Sequence, residues 1–204
     1  MRRQGFPIVI SGPSGVGKST IYKRVLEADG GVAYSVSVTT RPMRPGEANK
    51  VDYEFVSPAE FDALVARDEL AEWALVHGHQ YGTRRSAIES HTKEGRDVVM
   101  DLDVQGGMSI KRLYPEGVLV FVLPPSWEAL ERRLRSRATD SPEVIETRLR
   151  NAREEMNWAP RYDYAVENES LDEAVRQTLV IIEAERLRAS RFVWNGPVAA
   201  RGTR

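Results

Sequence analysis

At 204 residues the chain is long enough for one compact α/β unit with small appended lobes and a substantial core. Its 41% hydrophobic and 29% charged residues are an ordinary globular composition that excludes wholesale disorder, and a net charge of -1 gives no basic excess for non-specific nucleic-acid binding. There is no cysteine, which excludes disulfides, thiol catalysis and thiolate metal sites.

The start, Met1 to Pro7, lacks a secretory apolar segment, and the longest apolar run, Val118 to Pro125, is too short for a bilayer. The expectation is a cytoplasmic protein without membrane or nucleic-acid partners, monomeric or homodimeric. Ile8-Val9-Ile10 reads as a buried parallel strand that stops at a glycine-rich stretch. Helical character follows from Ser19 to Glu27 and ends at Gly30-Gly31. Ser35 to Thr39 alternates and is β-prone, and a Pro-, Arg- and Gly-rich loop runs from Arg41 to Lys50.

Ser57-Pro58-Ala59-Glu60 is a capping box with proline at the first helical position, with Phe61, Leu64 and Val65 on one face of the helix. Asp97 to Asp101 and Val118 to Val122 read as two more buried strands. Ser126 caps a helix bearing Trp127, Leu130 and Leu134, and Ser141-Pro142 starts another. Ser170-Leu171-Asp172-Glu173 reads as a second capping box. The tail after Phe192 is expected to fray. Strands alternating with helices predict a three-layer α/β/α fold with a parallel core sheet. The segments 37–90 and 126–155 read as lobes inserted into that core.

Gly12-Pro13-Ser14-Gly15-Val16-Gly17-Lys18-Ser19 fits GxxxxGK[ST] between a strand and a helix. Backbone N–H groups in such a loop point at an anion, and the helix N-terminus adds its dipole. Lys18 would reach the β- and γ-phosphates of a nucleotide, and the Ser19 hydroxyl would bind Mg²⁺. Asp101 ends a buried strand, where a carboxylate would hold Mg²⁺ directly or through water; read alone, it is also a helix cap or a surface acid.

The P-loop does not name the acceptor. Ser37-Val38-Thr39-Thr40-Arg41-Pro42-Met43-Arg44-Pro45-Gly46-Glu47, running into Val51-Asp52-Tyr53-Glu54-Phe55, closely resembles the GMP-binding signature of guanylate kinases. The resemblance continues with Glu72, Tyr81-Gly82-Thr83 and Asp101 to Gly106, and covers roughly residues 6 to 187. It implies a P-loop NTPase fold with a GMP-binding lobe over 35–94, a helical lid over 126–159, a core over 6–34, 95–125 and 160–187, and a tail over 188–204. It implies transfer of the γ-phosphoryl of ATP to GMP, and to dGMP, with Mg²⁺.

By resemblance, Gly12, Pro13, Ser14, Gly15, Val16, Gly17, Lys18, Ser19 and Thr20 bind ATP, together with Arg133, Arg137 and Asn168. Ser37, Arg41, Arg44, Tyr53, Glu72, Tyr81, Gly82, Thr83, Asp103 and Arg148 serve GMP. Lys18, Arg41, Arg137 and Arg148 are the catalytic set.

The chemistry of these residues is compatible with those roles. A nucleotide monophosphate loses its second proton near pH 6, and arginine forks and tyrosine hydroxyls suit the resulting dianion. A carboxylate accepts from both guanine N1–H and N2–H₂, whereas adenine would leave buried groups unpaired. Read alone, Arg41 and Arg44 equally fit a solvated loop, Glu72 an exposed acid, and Arg132 to Arg137 a basic helix face. His77, His79 and His91 read as surface residues rather than metal ligands. Thr83 replaces a serine common in the family, and Lys50 a glycine. Two other readings stand beside the kinase: a non-catalytic peptide-binding module of the same fold, and a P-loop kinase acting on a sugar phosphate.

Overall fold

The computed structural model describes residues 2–76, 78–136 and 142–193. Eleven strands are described: β1 (Arg2–Arg3), β2 (Pro7–Ser11), β3 (Val32–Tyr34), β4 (Ser37–Thr39), β5 (Glu54–Phe55), β6 (Leu70–Val76), β7 (His79–Arg84), β8 (Asp97–Asp101), β9 (Val118–Leu123), β10 (Tyr164–Glu167) and β11 (Phe192–Val193). The helices are α1 (Lys18–Ala28), α2 (Pro58–Ala66), α3 (Arg85–Lys93), α4 (Val104–Leu113), α5 (Trp127–Arg135), α6 (Pro142–Met156) and α7 (Leu171–Arg186).

The core is a five-stranded parallel sheet in the order β10-β9-β2-β8-β3. All five residues of β2 are buried, as a central strand covered on both faces requires. Its side chains alternate between two packing layers. Ile8 and Ile10 join Ile21, Val25, Leu130 and Ile182 on one face, and Val9 joins Ile88, Met100 and Ile110 on the other. The expected three-layer α/β/α fold with a parallel sheet is therefore present.

At Ser35 the chain leaves the core sheet, its N–H still donating to Val99 O at 3.0 Å, and at Ser37 it enters a second sheet of order β5-β4-β7-β6. The β-prone stretch from Ser35 to Thr39 is thus the end of one sheet and the start of another. Helix α2 covers the second sheet, with Phe61 and Leu64 packed on Val38 and Leu70. Its capping box forms as expected: the Glu60 N–H donates to Ser57 Oγ at 3.2 Å, and the Ser57 N–H donates to Glu60 Oε2 at 2.7 Å.

The second expected box does not form. Ser170 is the N-cap residue of α7, but its side chain makes no cap bond. Glu173 accepts from Arg176 and Gln177 instead, the i+3 and i+4 neighbours on the same helix face. Ser126 does cap α5, accepting from the Ala129 N–H at 3.1 Å; Ser141 lies outside the described residues. Phe192 pairs antiparallel with Arg3, and Val193, the first residue of the tail expected to fray, pairs with Arg2.

Candidate active site

The phosphate loop leaves the end of β2 and feeds α1. Gly17 caps α1 at φ 105°, and Gly12 lies at φ 143°. A Cβ on Gly12 would stand 2.4 Å from Val122 O, and one on Gly17 would stand 2.5 Å from Asn168 Nδ2. Only glycine meets both the torsion and the close approach. Pro13, Ser14, Gly15 and Val16 form the arch between them. Lys18 Nζ donates to Gly12 O at 2.6 Å and to Pro13 O at 3.4 Å, so the ammonium sits inside the loop. Lys18, Ser19 and Thr20 open α1.

The Val16 carbonyl is clamped from two sides. Asn168 Nδ2 donates to it at 2.8 Å, and Arg133 Nη1 from α5 at 3.2 Å; Arg133 Nη2 also donates to Asn168 O at 3.0 Å. Asn168, expected among the ATP-binding residues, is buried and braces the phosphate loop. Arg137 lies outside the described residues, and Arg148 is half-buried on α6.

At the end of β8, Asp101 accepts from Ser19 Oγ at 3.2 Å. Burial raises its pKa, opposed by the nearby Lys18 ammonium and the Ser19 bond. Among the described residues, no group of three or more His, Cys, Asp and Glu is arranged to hold a metal ion. One hydroxyl and one carboxylate nevertheless suit Mg²⁺, which keeps several waters and binds through one or two protein oxygens plus phosphates. The donor set therefore fits the expected ion.

The second sheet presents a row of polar side chains to the end of β8 and the start of α4. Ser37 on β4 pairs with Thr83 on β7, and Thr83 with Glu72 on β6; Thr39, Tyr81 and Ala74 form the next row. A bulge between Leu70 and Glu72 turns these two residues to opposite faces of the sheet. Leu70 packs under Gly82 against α2, while Glu72 lines a cavity of about 160 Å³ with Ser37, Tyr53, Tyr81, Gly82, Asp101 and Asp103.

Thr83 Oγ1 donates to Glu72 Oε1 at 2.6 Å. Burial pushes the Glu72 pKa up to about 7, with the Asp103 carboxylate adding to the rise and the Thr83 bond opposing it. Asp103 caps α4, taking the Gly106 N–H on Oδ1 at 2.8 Å. Glu72 Oε2 lies 3.0 Å from where a Cβ on Gly106 would stand, so the two carboxylates meet over the start of α4.

At the mouth, Arg41 is 8% exposed and makes a two-point bond to Glu47, at 2.7 and 3.1 Å. Its guanidinium lies 5.2 Å from the Tyr53 ring centroid, and Tyr53 packs edge-on to Tyr81. Arg44 stays exposed on the same loop, its N–H donating to Glu47 Oε2 at 2.8 Å. The loop is thus organised around Glu47, a residue that received no separate role in the sequence reading.

A family model described as guanylate kinase matches residues 4–185. Curated relatives named guanylate kinase include those of Rhizobium meliloti, 50% identical over 93% of this chain and 87% of its own length, and Thermotoga maritima, 46% identical over 92% and 91%. A crystal structure of guanylate kinase from Anaplasma phagocytophilum superposes with a TM-score of 0.79 at 32% identity, covering 94% of this chain and 91% of that one. A phosphate loop on a parallel α/β core, opening onto a second lobe with a cavity of its own, defines a P-loop nucleotide kinase. Within that class, the chain belongs to the guanylate kinase family.

Proposed function

We propose that the protein transfers the γ-phosphoryl group of ATP to GMP, and that Ser19 and Asp101 are the residues that would hold Mg²⁺, directly or through water. The observation that carries the acceptor reading is the Ser37–Thr83–Glu72 row with Asp103, a carboxylate pair, Glu72 buried and Asp103 half-buried, lining the cavity next to Asp101. Guanine offers N1–H and N2–H₂ to such a pair, Ser37 supplies a hydroxyl for its carbonyl side, and Thr83, whose O–H is given to Glu72 Oε1, holds that carboxylate in place. Adenine, with an acceptor at N1, would leave them unsatisfied. These groups address the edge of the base, which dGMP shares with GMP, and dGMP is expected as a second acceptor. A sugar-phosphate acceptor has no edge for the carboxylates, and a peptide-binding module has no need of the intact Lys18 and Ser19.

The nucleophile is a phosphate oxygen of GMP, already ionised near neutral pH, so no general base is required. Catalysis then rests on positioning and charge neutralisation. When bound, Mg²⁺ neutralises charge on the β- and γ-oxygens. Lys18 holds the same oxygens from inside the loop. Arg41 and Arg44, with the Tyr53 and Tyr81 hydroxyls, hold the acceptor phosphate in line, Arg41 exchanging its bond to Glu47 for one to the phosphate. Arg148, with Arg137, closes over the transferring group from the lid and excludes water. Arg133 and Asn168 act by bracing Val16. The proposed unit spans residues 6–187, with the lobe over 35–94, the lid over 126–159 and a tail from 188.

Lys18→Met tests the assignment. ATP-dependent turnover is expected to fall by roughly three orders of magnitude while calorimetry finds GMP affinity retained. A variant that keeps near-normal kcat would contradict the role of Lys18.

A further inference from the structure

The lid helix α6 brings a carboxylate to the phosphate loop that none of the preceding roles uses. Glu155 lies on the last turn of α6; burial pushes its carboxyl up from the usual range, the Lys18 ammonium opposes the rise, Asp103 adds to it, and the Ser14 N–H facing the carboxylate opposes it. Its Oε2 is buried and has no hydrogen-bond partner among the described residues. Tyr162 repeats the pattern nearby. Its hydroxyl is also buried without a partner among the described residues, beside Gly107 and Ser11 and within the field of Glu155.

A buried carboxylate oxygen without a partner is unfavourable, and the fold tolerates one only where something offsets it. Here the offset comes from the groups that would receive phosphate oxygens: a loop N–H and the Lys18 ammonium. The helix itself is tied to its lid neighbour by Arg153, whose guanidinium lies 4.7 Å from the Trp127 ring centroid. A shift of Glu155 is therefore a shift of the lid as well.

We propose that Glu155 sets the affinity of the phosphate cradle: its lid-borne carboxylate faces the Ser14 N–H and Lys18 where a phosphate oxygen would be received, and the polyphosphate of the nucleotide binds against its repulsion. The inference rests on reading the loop as the triphosphate cradle. Glu155 is then a brake on nucleotide affinity in the open chain. It limits capture of free polyphosphate and favours release of the product diphosphate.

The test is isothermal titration of the full chain with inorganic tripolyphosphate at low salt. Glu155→Gln keeps size and helix propensity but loses the charge. It is expected to bind roughly tenfold more tightly than the unmodified chain, the scale of removing one like charge several ångströms from a polyanion in a partly solvated site. Glu154→Gln makes the same change at an exposed position on the same helix and is expected to leave affinity within about twofold of the unmodified chain. Equal affinity in all three, or weaker binding by Glu155→Gln, would overturn the proposal, the latter by showing that the carboxylate helps assemble the cradle. Absence of binding by all three would instead remove the cradle reading itself, and the proposal with it.

Discussion

Glu72→Gln separates recognition of the base from stability of the fold. Glu72 is 8% exposed, and its Oε1 already accepts from Thr83 at 2.6 Å. An amide oxygen can keep that bond, so the change falls on the other terminus, which becomes an N–H donor where guanine also presents donors. Losing one charged hydrogen bond removes about 1.5–3 kcal/mol, and a donor meeting a donor pushes toward the upper end. That corresponds to a loss of roughly 10- to 150-fold in kcat/KM for GMP. The KM for ATP should stay within about threefold, because Glu72 lies outside the phosphate loop.

The fold should not suffer. The folded-state pKa of Glu72, about 7, stands above the ordinary glutamate value of 4.5. A carboxyl raised in this way carries no folding penalty below the lower value. The penalty grows as pH rises through the interval and is complete above the upper value. At pH 8 the neutral variant should therefore melt no lower than the unmodified chain. Steady-state kinetics with varied GMP, varied ATP and AMP as competitor, beside a melting curve, reads all of this. Unchanged kcat/KM for GMP in a folded variant would refute the placement of Glu72 against the base.

The same carboxyl predicts proton linkage: GMP affinity should fall more steeply between pH 8 and pH 6 in the unmodified chain than in Glu72→Gln, because only the ionised form accepts from the base. Calorimetry in two buffers at each pH measures it, and equal slopes would count against the linkage. Gly17→Ala places a methyl 2.5 Å from Asn168 Nδ2 at φ 105°. It should weaken ATP binding at least about tenfold while destabilising the fold by about 1–3 kcal/mol, read by titration and denaturant melts. Asp97 is fully buried and accepts from Arg3 and from Arg186, the latter at 2.6 Å. Asp97→Ala should cost about 3 kcal/mol, at the lower end for a buried pair because both arginines keep some solvent. Calorimetric melting should then drop by roughly 6–12 °C.

The phosphate loop was legible because its pattern encodes a local backbone shape: three glycines at left-handed torsions, a lysine folded inside and a helix start. Strands β2, β8 and β9 were legible as unbroken apolar runs, the mark of a sheet covered on both faces. Strand β6 was not, because its bulge breaks the period-two pattern between Leu70 and Glu72. Its pairing with β7 was hidden for the same reason, and with it the row that unites Ser37, Thr83 and Glu72.

Family resemblance supplied that grouping, and the bulge gives its physical cause. The clamp of Arg133 and Asn168 on Val16 joins residues 117 and 152 positions away. No local pattern carries such a contact. Glu155 stood in the charged run Arg153-Glu154-Glu155, indistinguishable in sequence from a solvated helix face. Only packing separates it from its exposed neighbour.

The central claim, phosphoryl transfer to a guanine nucleotide, is tested most directly by a coupled assay of ADP formation from ATP and Mg²⁺ with GMP, AMP, UMP or CMP as the acceptor. The account predicts rapid turnover with GMP and rates at least about 10³-fold lower with the other three. Comparable turnover with AMP would leave the phosphate loop in place and contradict the roles of Glu72 and Asp103; no turnover with any acceptor would contradict the claim itself.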